Sequence, residues 1–436
     1  MNKKIKKLLS VALCLALAAG ISPNAFADET IENPTEAVTE NTQAQPGGGT
    51  NKPGSGENSA NASAATVLQD GDNIIGGTYT AEENDESVFE ASGDVKASIT
   101  DSVINKVSGT ASNTGAADFE GVNSGVRVYG NAEVTLSGCT IEAAAKNATG
   151  VFAYQNGIIN ISDSIVTVSG GGAGGVQVAG GGTLYGNNLT VTTESKAAIR
   201  SDRGGGTIVI DGGSYTANGN DGCPVIYSTA DITVKNAEGT ATNSQAVIIE
   251  GKNSVTLDKC TISGNDQPTK EGSVPANVML YQSTSGDAAE GTSIFNMTDS
   301  SLTAQAGVMF YCTNTDSIVN LSNSELTLSD SGDLILVSAG RWGKEGKNGG
   351  NCTFNASNQI LKGNITVDSI SSLSFNLTDS TYTGAILNEG IADVTMDAGS
   401  TWILTGDSSI SSLSGDTSGI ELNGYTLLVN GEVYTG

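Results

Sequence analysis

Apolar and polar residues alternate in short blocks along most of this chain. The block at 134–139, for example, reads Val-Thr-Leu-Ser-Gly-Cys. Because side chains alternate between the two faces of a strand, each block predicts a strand with one buried face, and the Asp, Gly, Asn or Ser at its end predicts a turn. The blocks lie at 97–102, 134–139, 159–164, 183–188, 208–213, 232–237, 255–260, 295–300, 319–324, 352–357, 375–380 and 394–399.

The blocks return about every 24 residues, with longer steps where the chain holds insertions. A unit of this size cannot bury its own apolar face, but stacked units share one narrow core. The spacing therefore predicts an all-β fold, a single-stranded right-handed parallel β-helix with about 24 residues per coil. A β-sandwich or a series of immunoglobulin-like modules is the alternative, although those folds have less regular strand spacing and larger core aromatics.

The two ends of the chain differ from the repeats. Residues 1–27 combine lysines, an apolar stretch and Ala-Phe-Ala, which predicts a secretory signal peptide and a secreted or extracellular protein. Residues 28–68 are polar and low in complexity, which predicts a disordered linker. We expect the β-helix over 69–362 and a shorter-coil continuation with a cap over 363–436. No stretch is long enough to insert into a membrane.

Composition removes several classes of function. The chain has 20 Lys and Arg against 47 Asp and Glu, a formal net charge of −27, so it would repel nucleic acid. It contains no histidine, which excludes Ser/His/Asp and Cys/His catalysis and imidazole metal sites.

Cysteines and block-ending aspartates also favour structural roles. Cys139 and Cys260 occupy the block position that holds serine elsewhere and lie several coils apart, so we expect free thiols rather than a disulfide. The cysteine spacing suits no metal site. The aspartates are predicted to form turns rather than to bind calcium: Asp101, Asp163, Asp299 and Asp379. No cofactor is predicted, and calcium stays open without a motif that supports it.

A second strand in each unit carries the candidate binding residues. It has the form apolar-x-apolar followed by a larger residue, which alternation directs outward or into the adjoining corner. Five tyrosines are predicted to share one column on this side: Tyr129, Tyr154, Tyr227, Tyr281 and Tyr311. Arg200 falls in the same column, and a polar edge follows it: Asp202, Arg203, Glu250, Gln282, Arg341 and Trp342.

Aromatic rings beside Arg, Asp and Gln suit sugars, because rings stack on pyranose faces and polar groups bind hydroxyls. The arginines favour acidic glycans, so the expected partner is an extracellular polysaccharide or a cell-surface glycan. The alternatives are structural. The tyrosines could form a packing ladder beneath loops, Arg200, Asp202 and Arg203 could form an ion pair of small energetic value, and Trp342 could fill its own loop.

Catalysis has weak support in the sequence. A pectate-lyase-like mechanism needs carboxylates that hold calcium near a basic residue, and Arg200, Asp202 and Arg203 form the only such cluster. One aspartate is too few for a calcium site. We therefore expect an adhesin-like protein without catalysis. A calcium-dependent polysaccharide (uronate) lyase and a structural spacer or envelope component are the alternatives.

Several segments carry a resemblance to a known group. "AAIRSDRGGG", "RWGKEGKNGG" and "GSTWILTGDSSISSL" resemble secreted bacterial β-helix proteins of the pectate-lyase-like superfold that are described as adhesin-like. The likeness covers about 95–436, and the C-terminal part also resembles autotransporter passenger β-helices. It implies the fold and an extracellular location, and it supplies no catalytic residues.

Overall fold

The computed structural model describes residues 61–267 and 272–435. The described residues belong to one compact unit, Gly49–Gly436. The predicted signal peptide and most of the predicted linker lie outside the described residues. No helix among the described residues is long and apolar enough to cross a membrane.

Parallel strands make up nearly all of the regular secondary structure in the described chain. Each strand pairs with the equivalent strand of the next coil, so that Val151 lies between Val126 and Val176. Hydrogen-bonded side chains on neighbouring coils are commonly 24 or 25 residues apart. This topology confirms the predicted all-β parallel β-helix with about 24 residues per coil.

Four sheets contain the described strands. A 13-stranded sheet forms one face of the coils, with strands Ser63–Val67, Glu86–Ser92, Val126–Tyr129, Val151–Tyr154, Val176–Ala179, Ile199–Ser201, Ile226–Ser228, Val247–Glu250, Ala276–Tyr281, Val308–Thr313, Asp333–Val337, Asn364–Val367 and Ile386–Asn388. A 4-stranded sheet contains Ile360–Lys362, Thr381–Thr383, Thr401–Ile403 and Ile420–Glu421. A 3-stranded sheet contains Ser408–Ile410, Leu427–Val429 and Glu432–Val433, the last two of which pair antiparallel.

The 22-stranded sheet contains the predicted blocks and the strands that follow them. Its members are Asn73–Ile75, Thr78–Ala81, Lys96–Thr100, Val103–Lys106, Glu133–Ser137, Thr140–Ala143, Ile158–Ser162, Ile165–Val168, Gly182–Thr193, Gly206–Ala217, Asp231–Lys235, Glu238–Ala241, Ser254–Asp258, Thr261–Gly264, Ser293–Thr298, Ser301–Ala304, Asp316–Ser322, Glu325–Thr327, Asn351–Ser357, Ser372–Thr378, Ile391–Met396 and Ser412–Gly415. The helix Thr114–Glu120 interrupts the described strands.

A corner with left-handed backbone lies at the end of most blocks. Asp101, Asp163, Asp299 and Asp379 have φ of 49°, 48°, 49° and 47°. Asp and Asn tolerate this conformation better than other residues with a side chain, so these aspartates form turns, as predicted. Asn side chains at the same corner link successive coils, as where Asn188 Nδ2 donates to Asp163 Oδ1 at 2.8 Å.

Aliphatic side chains fill most of the coil interior, and the C-terminal half adds a continuous stack of aromatic rings to them. Successive ring centroids lie 5.1 to 6.0 Å apart in a stack within one hydrophobic core: Phe295, Phe310, Phe354, Phe375, Tyr382 and Trp402. The stack concentrates scarce aromatics where their contact area stabilises neighbouring coils.

The cysteines of the described residues are free thiols, as predicted. Cys139 and Cys260 are buried in the serine position of their blocks, where each backbone N–H donates to a serine hydroxyl of the next coil. Cys312 and Cys352 are buried too, and Cys223 is half-buried.

Ordered strand structure begins earlier than predicted. The strand Ser63–Val67 lies inside the segment expected to be a disordered linker and pairs in parallel with Glu86–Ser92. Its small residues give only a weak alternation, so sheet pairing rather than local pattern defines it. At the other end the coils shorten, since Thr395 and Ser414 are hydrogen-bonded across 19 residues.

Candidate functional site

The predicted tyrosine column is in fact two columns on the same outward face of the 13-stranded sheet. Tyr129 is paired with Tyr154, whereas Tyr227 is paired with Arg200 and Ile248. The prediction of a single column is therefore wrong by a two-residue shift. A shift of two keeps every side chain on the same face, so the alternating pattern does not reveal it.

The remaining tyrosines follow the same division. Tyr281 is paired with Glu250 in the column of Tyr129 and Tyr154. Tyr311 is paired with Met279 in the column of Arg200 and Tyr227.

Loops and the helix cover much of this outward face, which we call the covered face. Tyr154, Tyr281 and Tyr311 are 3%, 7% and 3% exposed, while Tyr129 and Tyr227 are half-buried. An accessible row of five tyrosines is therefore not present. The three buried tyrosines, Tyr154, Tyr281 and Tyr311, instead fit the alternative of a packing ladder beneath loops.

The helix Thr114–Glu120 is one of the covering elements, and its end signals are local. Asn113 caps the first turn through bonds from the backbone N–H of Gly115 and Ala116. Gly121 ends the helix with φ of 74°, and a Cβ there would lie 2.4 Å from the ring of Phe152. Glycine is required at this position both for the left-handed conformation and for the close approach.

Polar side chains of the sheet bind the underside of this helix. Arg127 Nε donates to the backbone oxygen of Glu120 at 2.8 Å, and Gln177 Nε2 donates to that of Asp118 at 2.9 Å. Lys196 forms an ion pair with the Asp118 carboxylate. These bonds satisfy helix carbonyl groups and fix the helix on the covered face.

Arg200 and Asp202 form a buried ion pair beside the helix. The Asp202 carboxylate accepts from Arg200 Nε at 2.9 Å and from Nη2 at 2.7 Å, and the two side chains are 13% and 4% exposed. The guanidinium also lies 4.5 Å from the ring centre of Tyr227. Burial alone would lower the pKa of Arg200, but Asp202, Tyr227 and Asp118 outweigh it and raise the pKa above its ordinary value.

Glu250 is the acceptor of a second buried cluster. Its Oε2 accepts from Tyr227 at 2.6 Å and from Tyr281 at 3.0 Å, and its Oε1 accepts from Ser283. Burial, together with the Glu250 carboxylate, raises the pKa of Tyr281. Both tyrosines therefore keep their protons at neutral pH and act as donors.

Two arginine–aromatic pairs lie at the accessible margin of the covered face. Arg203 is 4.1 Å above the ring of Phe119, and its side chain is 46% exposed although it is paired with Asp287. Exposed Arg341 lies 4.5 Å above the ring of Trp342.

The second pair is anchored to the buried clusters. The ring of Trp342 contacts that of Tyr281 at 5.7 Å between centroids. Trp342 therefore joins the cluster of Glu250, Tyr227 and Tyr281 to a surface loop.

The structure brings most of the predicted residues together but separates two of them. Tyr129 and Tyr154 pack with Phe152 several coils before the Glu250 cluster, and Tyr129 donates to Glu90 at 3.2 Å. Tyr311 packs with Ala276 and Val308 and lines a pocket together with Arg341 and Trp342. Gln282 is buried, and its side-chain amide donates to the backbone oxygens of Ser283 and Ala288 in its own loop.

The sequence did not single out two buried carboxylates near this face. Both carboxylate oxygens of Glu120 are buried without a hydrogen-bond partner among the described residues, and so is Oδ1 of Asp266. For Glu120, the sequence offers one signal, a short helix that begins after Asn113 and ends at Gly121. No local signal identifies Asp266, which follows an ordinary strand. In the described part of the chain, no group of three or more Cys, Asp or Glu side chains could hold a metal ion.

The carboxyl group of Asp266 is expected to make stability depend on pH. Burial, with a smaller contribution from Asp221, raises its pKa to about 7. The folded chain thus keeps a proton that the unfolded chain, with an aspartate pKa of ~3.9, has already released. The free energy of unfolding should therefore fall by about 2–3 kcal/mol between pH 5 and pH 8 through this group.

Asp266→Asn tests this expectation. An amide can still accept from Ala276 and Gln245, as the carboxyl group does at 3.0 Å from each, but it does not ionise. Urea denaturation at pH 5 and pH 8 should give a smaller pH difference for Asp266→Asn than for the native chain. Asp330→Asn, at an exposed position, should leave the difference unchanged. An equal pH difference in all three proteins would contradict the assignment.

Comparison with models of known protein families finds no match for this chain. A search of curated proteins finds no match either.

Proposed function

We propose that the chain is an extracellular, adhesin-like β-helix protein that binds an acidic glycan at the margin of the covered face. Two accessible arginine–aromatic contacts are the main support for this proposal: Arg203 with Phe119 and Arg341 with Trp342. A ring offers an apolar surface to a sugar face, and a guanidinium binds a carboxylate in two places.

Charge around the second contact supports an acidic ligand. Arg341, Lys344 and Lys347 are all exposed within one surface loop of a chain whose net charge is −27. A local group of cations on an acidic protein attracts an anion to that loop and away from the rest of the surface. Binding of this kind weakens as salt concentration rises.

The buried clusters serve in this proposal to position the margin. Tyr281 packs against Trp342, and Ser283, which bonds Glu250, belongs to the same loop as Asp287, the partner of Arg203. The rings and cations are thus held by residues that do not contact the glycan. Preorganised groups lose less entropy when they bind a ligand.

The lyase alternative has less support from the geometry. A catalytic base must be accessible and must release its proton, whereas Arg200 is held against Asp202 with its pKa raised. The spacer alternative predicts no glycan binding at all.

The double variant Arg341→Ala/Lys344→Ala tests the proposal. The native chain should bind acidic glycans on an array that includes polygalacturonate and sialylated oligosaccharides, and the variant should bind them at least about tenfold more weakly, because both exposed cations are lost. Lys362→Ala removes an exposed cation elsewhere and should bind as the native chain does.

The other possible results would favour one of the alternative functions or another binding site. Unchanged binding by the double variant would reject the margin as the site, and no acidic glycan bound by the native chain would favour the spacer. Formation of unsaturated uronate, read by absorbance with and without calcium, would favour the lyase.

A further inference from the structure

A surface trough crosses four coils of the 22-stranded sheet, on a different face from the covered face. Its walls are two outward columns of side chains, and we call it the asparagine trough. One column contains amides, Asn296, Asn320, Asn355 and Asn376, and the other contains hydroxyls, Thr298, Ser322, Ser357 and Thr378. The groove between them has a volume of about 300 Å³.

The amides of the trough are fixed in one orientation. Asn320 donates to Asn296 at 2.8 Å, Asn355 donates to Asn320 at 2.8 Å, and Asn376 donates to Asn355 at 2.9 Å. Each amide nitrogen carries two N–H groups, and each of these contacts uses one. The ladder therefore leaves a row of N–H donors at the strand spacing of ~4.8 Å, directed by the structure before any ligand arrives.

An apolar column borders the amides on one side. Ile294 and Ile318 occupy adjacent coils, and both are half-buried on the outward face. On these two coils the apolar, amide and hydroxyl groups run parallel, and on the next two coils the apolar column continues with Thr353 and Ser374. A pyranose presents a comparable combination, with apolar C–H faces and polar hydroxyl edges.

Charge distinguishes this trough from the margin of the covered face. Of the described residues, those that line the trough carry no charged side chain. The turn column beside the hydroxyls contains Asp299 and Asp379, which would repel an anionic ligand. The chemistry therefore suits a neutral ligand.

We propose that the asparagine trough binds a neutral polysaccharide chain. Amide N–H groups and the hydroxyls of Thr and Ser bond sugar hydroxyls, while Ile294 and Ile318 contact a sugar face. Four coils at ~4.8 Å make the trough about 14 Å long, enough for a few sugar residues. This inference goes beyond the proposed binding of acidic glycans, since it concerns another face and another class of ligand.

Ser322→Tyr tests the trough by filling it. The substitution adds a neutral ring between the two columns and leaves the amide ladder in place. Thr100→Tyr is the matched control, because Thr100 lies in the same outward column on an early coil away from the trough and is equally half-buried. Thr378→Tyr, at the far end of the trough, is a second test should Ser322→Tyr fail to fold.

Affinity gel electrophoresis of the full chain, with a soluble β-glucan, a galactomannan and polygalacturonate as probes, provides the measurement. We expect the native chain to be retarded by at least one neutral probe, the trough variants to bind it at least about tenfold more weakly, and Thr100→Tyr to match the native chain. Thermal unfolding by circular dichroism identifies the folded variants.

Two results would overturn the inference: no retardation of the native chain by either neutral probe, or native-like retardation of a folded trough variant. Arg341→Ala/Lys344→Ala separates this inference from the proposed function. It should lose binding to polygalacturonate and keep binding to the neutral probe, so either activity can fail without the other.

Discussion

Phe354→Ala is expected to lower the free energy of unfolding by about 3–5 kcal/mol. Phe354 is fully buried, and its ring packs between Phe310 at 5.3 Å and Phe375 at 5.7 Å. The coils on either side are held by parallel ladders, so they cannot collapse into the cavity. The cost therefore includes the cavity as well as the lost transfer free energy.

Urea denaturation followed by circular dichroism measures this effect, and Tyr185→Ala is its control. Tyr185 is 48% exposed on the outward face, so its removal should change stability by no more than about 0.5 kcal/mol. Because each coil contacts chiefly its neighbours, Phe354→Ala should also broaden the transition. Equal stability losses in the two variants would contradict the role of the stack.

The coil architecture could be predicted because alternation, turn residues and repeat spacing all indicate the same fold. Alternation places Val134 and Leu136 inward, a turn residue follows, and the pattern returns at a nearly constant step. The left-handed corners explain why Asp and Asn end the blocks, since few other residues with a side chain adopt that conformation easily. Repetition supplies the long-range information that a single strand lacks.

The candidate site could be predicted only in part, for two physical reasons. Alternation identifies which face a side chain occupies, but a shift of two residues leaves the face unchanged, so the pattern does not separate the column of Tyr227 from that of Tyr281. Alternation also says nothing of what covers a face. The helix Thr114–Glu120 and the loop around Ser283 arise from insertions between repeats, and those insertions bury the tyrosines.

The ion pair of Arg200 and Asp202 illustrates the same limit. The sequence predicts that these residues lie close together, and it allows either an accessible site or a weak surface pair. The structure gives neither: the pair is buried, with side chains 13% and 4% exposed. Buried pairs differ from surface pairs mainly in the cost of losing one partner.

Asp202→Ala is therefore expected to lower the free energy of unfolding by about 3–5 kcal/mol. The substitution leaves the Arg200 guanidinium buried without its main counter-charge. A guanidinium stays protonated in proteins even when buried, so the group cannot escape this cost by losing its proton. Asp287→Ala is the matched control. It removes the partner of Arg203, whose side chain is 46% exposed, and should cost no more than about 1 kcal/mol.

A double variant distinguishes the cost of an unpaired buried charge from the cost of lost packing. Replacing both partners, as Arg200→Met/Asp202→Leu, removes the buried charges together and should recover much of the stability that Asp202→Ala loses, because a well-packed apolar pair can replace a buried ion pair. Urea denaturation of the four proteins provides the comparison. If Asp202→Ala cost no more than Asp287→Ala, the guanidinium would have to reach solvent, and Arg200 would again be a candidate for direct contact with a glycan.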